Sequence, residues 1–162
     1  MKKKNTEIRN GCFVTNIVNG LHGYVVAMQY FLTGCNRAQI ENFVDNKFQI
    51  HTADETILKV NPDVVPLKSY PVSYIISNYL GMSARDEDYP ETMSYKGVIT
   101  CVTIYKSGTT HVAIERNNNG EVETQWFDIN RIVIDKTKKM IVPVKNSKIS
   151  VGGPGISPPF TR

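Results

Sequence analysis

Between Cys12 and Leu32 the apolar residues Phe13, Ile17, Val18, Leu21, Val25, Met28 and Leu32 recur at steps of three and four, the spacing of one helical face. The pattern predicts a largely buried helix over 12–32. Gly20 and Gly23 should bend or break it, since each costs about 1 kcal/mol in a helix relative to alanine. Thr33-Gly34 ends the run. Asn36 followed by Gln39 is a capping-box spacing and predicts a short helix to Asp45. A third helix is expected over Ser69–Leu80, with Pro71 near its start, Val72, Ile75, Ile76 and Tyr79 on one face, and Gly81 as its stop.

After a charged stretch, Ser83–Tyr95, which reads as a surface loop, the period falls to two. Gly97–Tyr105, Thr110–Arg116, Val122–Asp128, Arg131–Asp135 and Met140–Val144 are rich in Val, Ile and Thr and read as strands. Helices followed by an antiparallel sheet predict an α+β fold, with one domain over 1–150. No internal repeat is visible. The segment 151–162, with Gly152-Gly153-Pro154-Gly155 and Pro158-Pro159, reads as an extended tail, ordered only against a partner subunit or an extended groove.

Composition changes this picture little. The chain has 162 residues, 41% hydrophobic and 21% charged, as in a soluble globular domain. The net charge of +4 gathers largely in Lys2–Lys4 and the Lys136–Lys148 region. Aromatic and basic residues do not interleave as a nucleic-acid platform requires, so no nucleic-acid partner is expected. No signal-peptide core follows Lys2–Lys4 and nothing approaches a membrane span, so synthesis in the cytoplasm is expected. Three separated cysteines without a Cys-x-x-Cys pair argue against a disulfide framework and a structural zinc. Asp86, Glu87, Asp88 and Glu91 lack the ordered spacing of a calcium loop, and no phosphate-binding or dinucleotide motif is present.

Cys12 carries the candidate chemistry. At a helix start its thiol pKa would fall, a histidine could take its proton, and a carboxylate could orient the imidazole. Asn119-Gly120 is a strong two-residue hairpin signal. Counting outward from it places His111 opposite Asp128, and a register shifted by one residue leaves the two as diagonal neighbours. Cys35 is a rival nucleophile; Cys101 reads as core, and His22 and His51 as structural.

Gly11-Cys12-Phe13-Val14-Thr15, Thr110-His111-Val112-Ala113-Ile114 and Phe127-Asp128, in that order, resemble the nucleophile, histidine and aspartate segments of papain-like cysteine peptidases. The nearer likeness is to the bacteriocin-processing, double-glycine-leader type. That resemblance implies a papain-like fold and a thiol hydrolase of peptide or amide bonds, with Cys12 as nucleophile, His111 as base and Asp128 as its orienter. No cofactor is implied. The usual glutamine upstream of the cysteine is missing, which leaves Asn10 as the side-chain oxyanion donor. Two other readings stand beside it. One is an inactive papain-like domain serving as a structural or docking component of a larger assembly, such as a bacteriophage particle or secretion system, with its tail against other subunits. The other is a toxin-type glutamine deamidase.

Overall fold

The computed structural model describes residues 7–70 and 76–139. The expected tail 151–162, the strand 140–144 and residues 71–75 of the third expected helix lie outside the described residues. What is described overturns the α+β expectation. Among the described residues the chain is antiparallel β-structure, and no helix reaches seven residues. The expected helix 12–32 is two strands, β1 (Phe13–Asn16) and β2 (His22–Phe31); the expected helix 36–45 is β3 (Arg37–Val44). Ile17 and Val18, which a helix would have buried, are 65% and 75% exposed in the turn between β1 and β2. The part of Ser69–Leu80 that is described contains only a single 3-10 turn, Ile76–Asn78.

The apparent helical spacing has a physical origin. In β2 residues 23, 25 and 27 are buried in strict alternation, but burial then continues through Met28 and Gln29. The pairing of β2 with β3 slips between Val25 and Ala27. A bulge of this kind breaks the two-residue period, and what remains resembles steps of three and four.

The chain divides into two compact units, one of residues 7–29, 36–70 and 104–109, the other of 30–35, 76–103 and 110–139. In the first, β4 (Lys47–Asp54) follows β3, and β5 (Leu58–Val60) closes the set; the strand order is β5-β1-β2-β3-β4. The second contains β6 (Met82–Asp86), β7 (Lys96–Tyr105, of which 104–105 belong to the first unit), β8 (Thr110–Asn118), β9 (Glu121–Asp128) and β10 (Ile132–Lys139). Its order is β10-β6-β7-β8-β9. The supposed loop 83–95 thus opens with the strand β6.

These are two copies of one fold. Val14 pairs with Gly23 and Val60, and Ala84 pairs with Gly97 and Ile134. Bonds outside the ladders repeat too. Asn16 N–H donates to the Leu21 carbonyl at 2.7 Å and Asp86 N–H to that of Tyr95 at 3.0 Å. Ile17 N–H reaches Ile57 and Glu87 N–H reaches Arg131, both at 2.9 Å. Each copy turns its third strand into its fourth through two positive-φ residues, Asp45-Asn46 and Asn119-Gly120. Each then ends its fourth strand on an aspartate that caps a 3-10 turn: Asp54 accepts from Thr56 N–H, and Asp128 from Asn130 N–H.

The cores match position by position. Val14, Val25, Ala27, Ala38, Ile40 and Leu58 are buried in one copy, and Ala84, Ile99, Cys101, Val112, Ile114 and Ile132 in the other. Gly23 and Gly97 are equivalent as well. A Cβ at Gly23 would strike the Glu41 carbonyl oxygen, and one at Gly97 the Glu115 carbonyl oxygen, so the packing of second strand on third excludes any side chain there. Equivalent turns are exchanged between the compact units, 30–35 lying in the second and 104–109 in the first. Leu32 N–H bonds to the Thr100 carbonyl in one, and Lys106 N–H to the Val26 carbonyl in the other, at 2.8 and 2.7 Å.

Candidate functional site

Cys12 lies at the mouth of β1, with no helix behind it to lower its pKa. It is buried, and burial pushes its thiol up from the ordinary value, opposed by the Arg9 N–H, which donates to Sγ at 3.5 Å. Its equivalent in the second copy is Met82, also buried, so the position is one that packs apolar volume in both. Asn10 spends its amide on the Ile104 carbonyl, at 2.9 Å.

His111 and Asp128 are direct cross-strand partners, and the hairpin runs from that pair to Asn118–Glu121 around Asn119-Gly120. The equivalent pair in the first copy is Arg37 and Asp54. The aspartate caps a 3-10 turn in both copies, while the residue opposite changes from arginine to histidine. Cys12 belongs to the first unit, His111 and Asp128 to the second. Among the described residues no cluster of three His, Cys, Asp or Glu side chains could hold a metal ion, and no helix is long and apolar enough to cross a membrane.

A different site stands out in the first unit. A groove of about 810 Å³ is lined by Phe13 from β1, Leu21, His22 and Tyr24 from the start of β2, Glu41, Phe43 and Val44 from β3, Phe48 from β4, and Leu67. Each wall follows from local structure. The tight Asp45-Asn46 turn makes Phe43 and Phe48 direct partners, with ring centroids 4.9 Å apart. The β1–β2 pairing sets Phe13 opposite Tyr24, edge to face at 5.0 Å, with the His22 ring 5.8 Å from Phe13. His22 Nδ1–H donates to the Gly20 carbonyl at 3.2 Å, which holds the imidazole along the rim. Phe43 is 59% and Phe48 71% exposed.

The second copy differs at these positions. Where the first has Phe13, His22, Tyr24, Phe43 and Phe48, the second has Ser83, Lys96, Val98, Asn117 and Val122. The ladder forms equally well with either set, so the fold does not require the aromatic rings. Among the groove's lining residues Glu41 is the acidic one, and no lysine or arginine is among them. The exposed phenylalanines flanking Asp45-Asn46 were the available sequence signal, but a reading of 36–45 as helix hid the hairpin.

No family model, curated protein or solved structure matches the chain.

Proposed function

We propose that this protein is a docking module whose first repeat binds an extended, proline-rich, non-acidic peptide in the aromatic groove. The internal comparison carries the reading: two copies share one backbone, and one alone has an exposed aromatic set that its folding does not need. Large exposed apolar surface of this kind is characteristic of interaction sites. Aromatic walls suit polyproline II segments, which dock flat rings without a large ordering cost. The absence of lysine and arginine from the lining disfavours a phosphate backbone, whose binding depends on such cations. Glu41 favours a partner that is neutral or basic.

The thiol-hydrolase reading rests on the His111–Asp128 pair. The duplicate position of Asp54 supplies a structural role for the aspartate, and burial holds Cys12 in its thiol form, so the docking reading has the stronger support.

Fluorescein-labelled ten-residue proline-rich peptides with arginine or aspartate flanks, and an oligothymidylate of the same length, test the proposal by anisotropy. The arginine-flanked peptide should bind best, and Phe48→Glu should weaken it at least tenfold. Binding unchanged in Phe48→Glu, preference for the oligonucleotide, or no peptide binding would overturn it.

A further inference from the structure

β4 is an outer strand of the first unit: among the described residues it pairs with β3 alone. The hairpin decides which of its backbone groups face outward. The two-residue turn Asp45-Asn46 closes on the pair Val44–Lys47, and bonded pairs then alternate with unbonded ones along the antiparallel ladder. Residues 47, 49, 51 and 53 therefore bond inward to β3. The same phase continues at Glu55, whose N–H donates to the Asn36 carbonyl at 3.0 Å. The N–H and C=O groups of Phe48, Ile50 and Thr52 point away from β3. We infer that this edge pairs antiparallel with the same edge of a second molecule, Ile50 facing Ile50, to form a homodimer.

Symmetry narrows the register. A twofold axis through such a pair keeps every side chain on its own sheet face, so facing residues lie an even number of places apart in sequence. Centring the pair on Ile50 sets each Phe48 opposite a Thr52. The outward groups of all three residues then meet, each facing pair exchanging both of its hydrogen bonds. Centring it on His51 would instead press each Phe48 against an Asp54 carboxylate.

Charge and exposure point to a second copy of this chain as the partner. β4 has Lys47 at one end and Asp54 at the other, so antiparallel approach brings unlike charges together. The equivalent strand β9 has Glu121 and Asp128 at its ends, and the same arrangement would bring like charges together. Edge strands are ordinarily blunted by charged side chains. From Phe48 to Ala53 β4 has no Asp, Glu, Lys or Arg, and it exposes Phe48 and Ile50 on one face. The hairpin does not require this, because β9 forms the same ladder with Glu121 and Glu123 where β4 has Lys47 and Gln49. A strand-edge contact is small beside a permanent interface, so the dimer should depend on concentration.

Sedimentation velocity of the whole chain over a concentration series tests the inference. The weight-average mass should rise from the monomer value toward its double. Ile50→Lys and Ile50→Glu should each stay monomeric, since like charges would stand directly opposite one another. An equimolar mixture of the two should regain the dimer, which shows both variants folded and identifies Ile50 as the facing residue. Lys47→Glu with Gln49→Glu installs the residues that β9 carries at those places and should also lose the dimer. Thr124→Lys, at the place of Ile50 on β9, should dimerise as the wild type does. A wild type that stays monomeric, an Ile50→Lys variant that still dimerises, a mixture that stays monomeric, or a Thr124→Lys variant that loses the dimer would each overturn the inference.

Discussion

Gly23 and Gly97 hold equivalent places, each with a neighbouring strand's carbonyl where a Cβ would go. The obstacle is backbone, which cannot swing aside as a side chain can. Gly23→Ala and Gly97→Ala should therefore each cost about 1–3 kcal/mol, as overpacking does, read as a lowered urea midpoint. Gly20→Ala meets no atom within 4 Å but sits at φ +74°, so its cost should come from backbone strain alone. Cys12 supplies a second expectation at this scale. Because burial raises its pKa and the thiolate is the reactive form, iodoacetamide at pH 7 should modify half-buried Cys35 before Cys12. Fast, selective labelling of Cys12 would instead support a nucleophile.

Among the elements, the β8–β9 hairpin was legible in the sequence. Asn119-Gly120 announced its turn chemistry, and the register from His111 to Asp128 followed by counting. Asp45-Asn46 also turns through two positive φ values, 51° and 60°, against 53° and 89° at Asn119-Gly120. Its sequence lacks the glycine that marks such turns, and the capping-box spacing of Asn36 and Gln39 pointed to a helix. Local signals therefore found the β8–β9 hairpin and missed β3–β4. The triad reading failed to gain support for a related reason: it needed a helix N-terminus at Cys12, and a bulged strand had imitated that helix.

The β6–β10 pairing adds an electrostatic element. Arg131 donates to both carboxylate oxygens of buried Asp86, at 3.0 and 2.7 Å, and also reaches Asp88 at 2.7 Å. The guanidinium beside Asp86 holds its carboxyl below the usual range despite the opposing effect of burial. In the first copy Asn16 takes the place of Asp86 and likewise accepts a backbone N–H two residues on, at 2.9 Å. Asp86→Asn should thus keep the turn and lose only the ion pair, at a cost of about 1.5–3 kcal/mol. A depressed carboxylate contributes stability above its unfolded pKa of about 3.9, and that contribution is lost as pH falls through the lower folded value. The gap between wild type and Asp86→Asn in thermal unfolding should be constant near neutrality and shrink below about pH 4. A gap independent of pH down to 2 would show that the charge is not what stabilises.

For the whole molecule, the duplication was invisible in the chain because so little identity survives. Between 21–60 and 95–134 the shared residues are Gly23/Gly97, Gly34/Gly108, Ile40/Ile114, Glu41/Glu115 and Asp54/Asp128. The glycines serve backbone geometry, the aspartates cap turns and the isoleucines fill the core, while Glu41 and Glu115 are half-buried. Core positions exchange Val for Ile, Ala for Cys and Ala for Val, substitutions that a packed interior accepts when neighbours adjust. With the aromatic set in the first copy and not at the equivalent positions of the second, peptide binding should saturate at one per chain. Val122→Glu, at the second copy's counterpart of Phe48, should leave affinity unchanged, and isothermal titration would read both quantities.

The two copies are not equal in length throughout. Between Asn16 and Leu21 the first has four residues, and between Asp86 and Tyr95 the second has eight, yet both connections end in the same backbone bond. The same fold therefore accommodates both lengths there and keeps the ladder on either side. Loop closure becomes only slowly more costly with length, so the tip at Val18–Asn19 is a natural port for grafted sequence: an epitope, a fluorophore site or a second recognition loop could be carried beside the groove on a scaffold that has tolerated the longer form once.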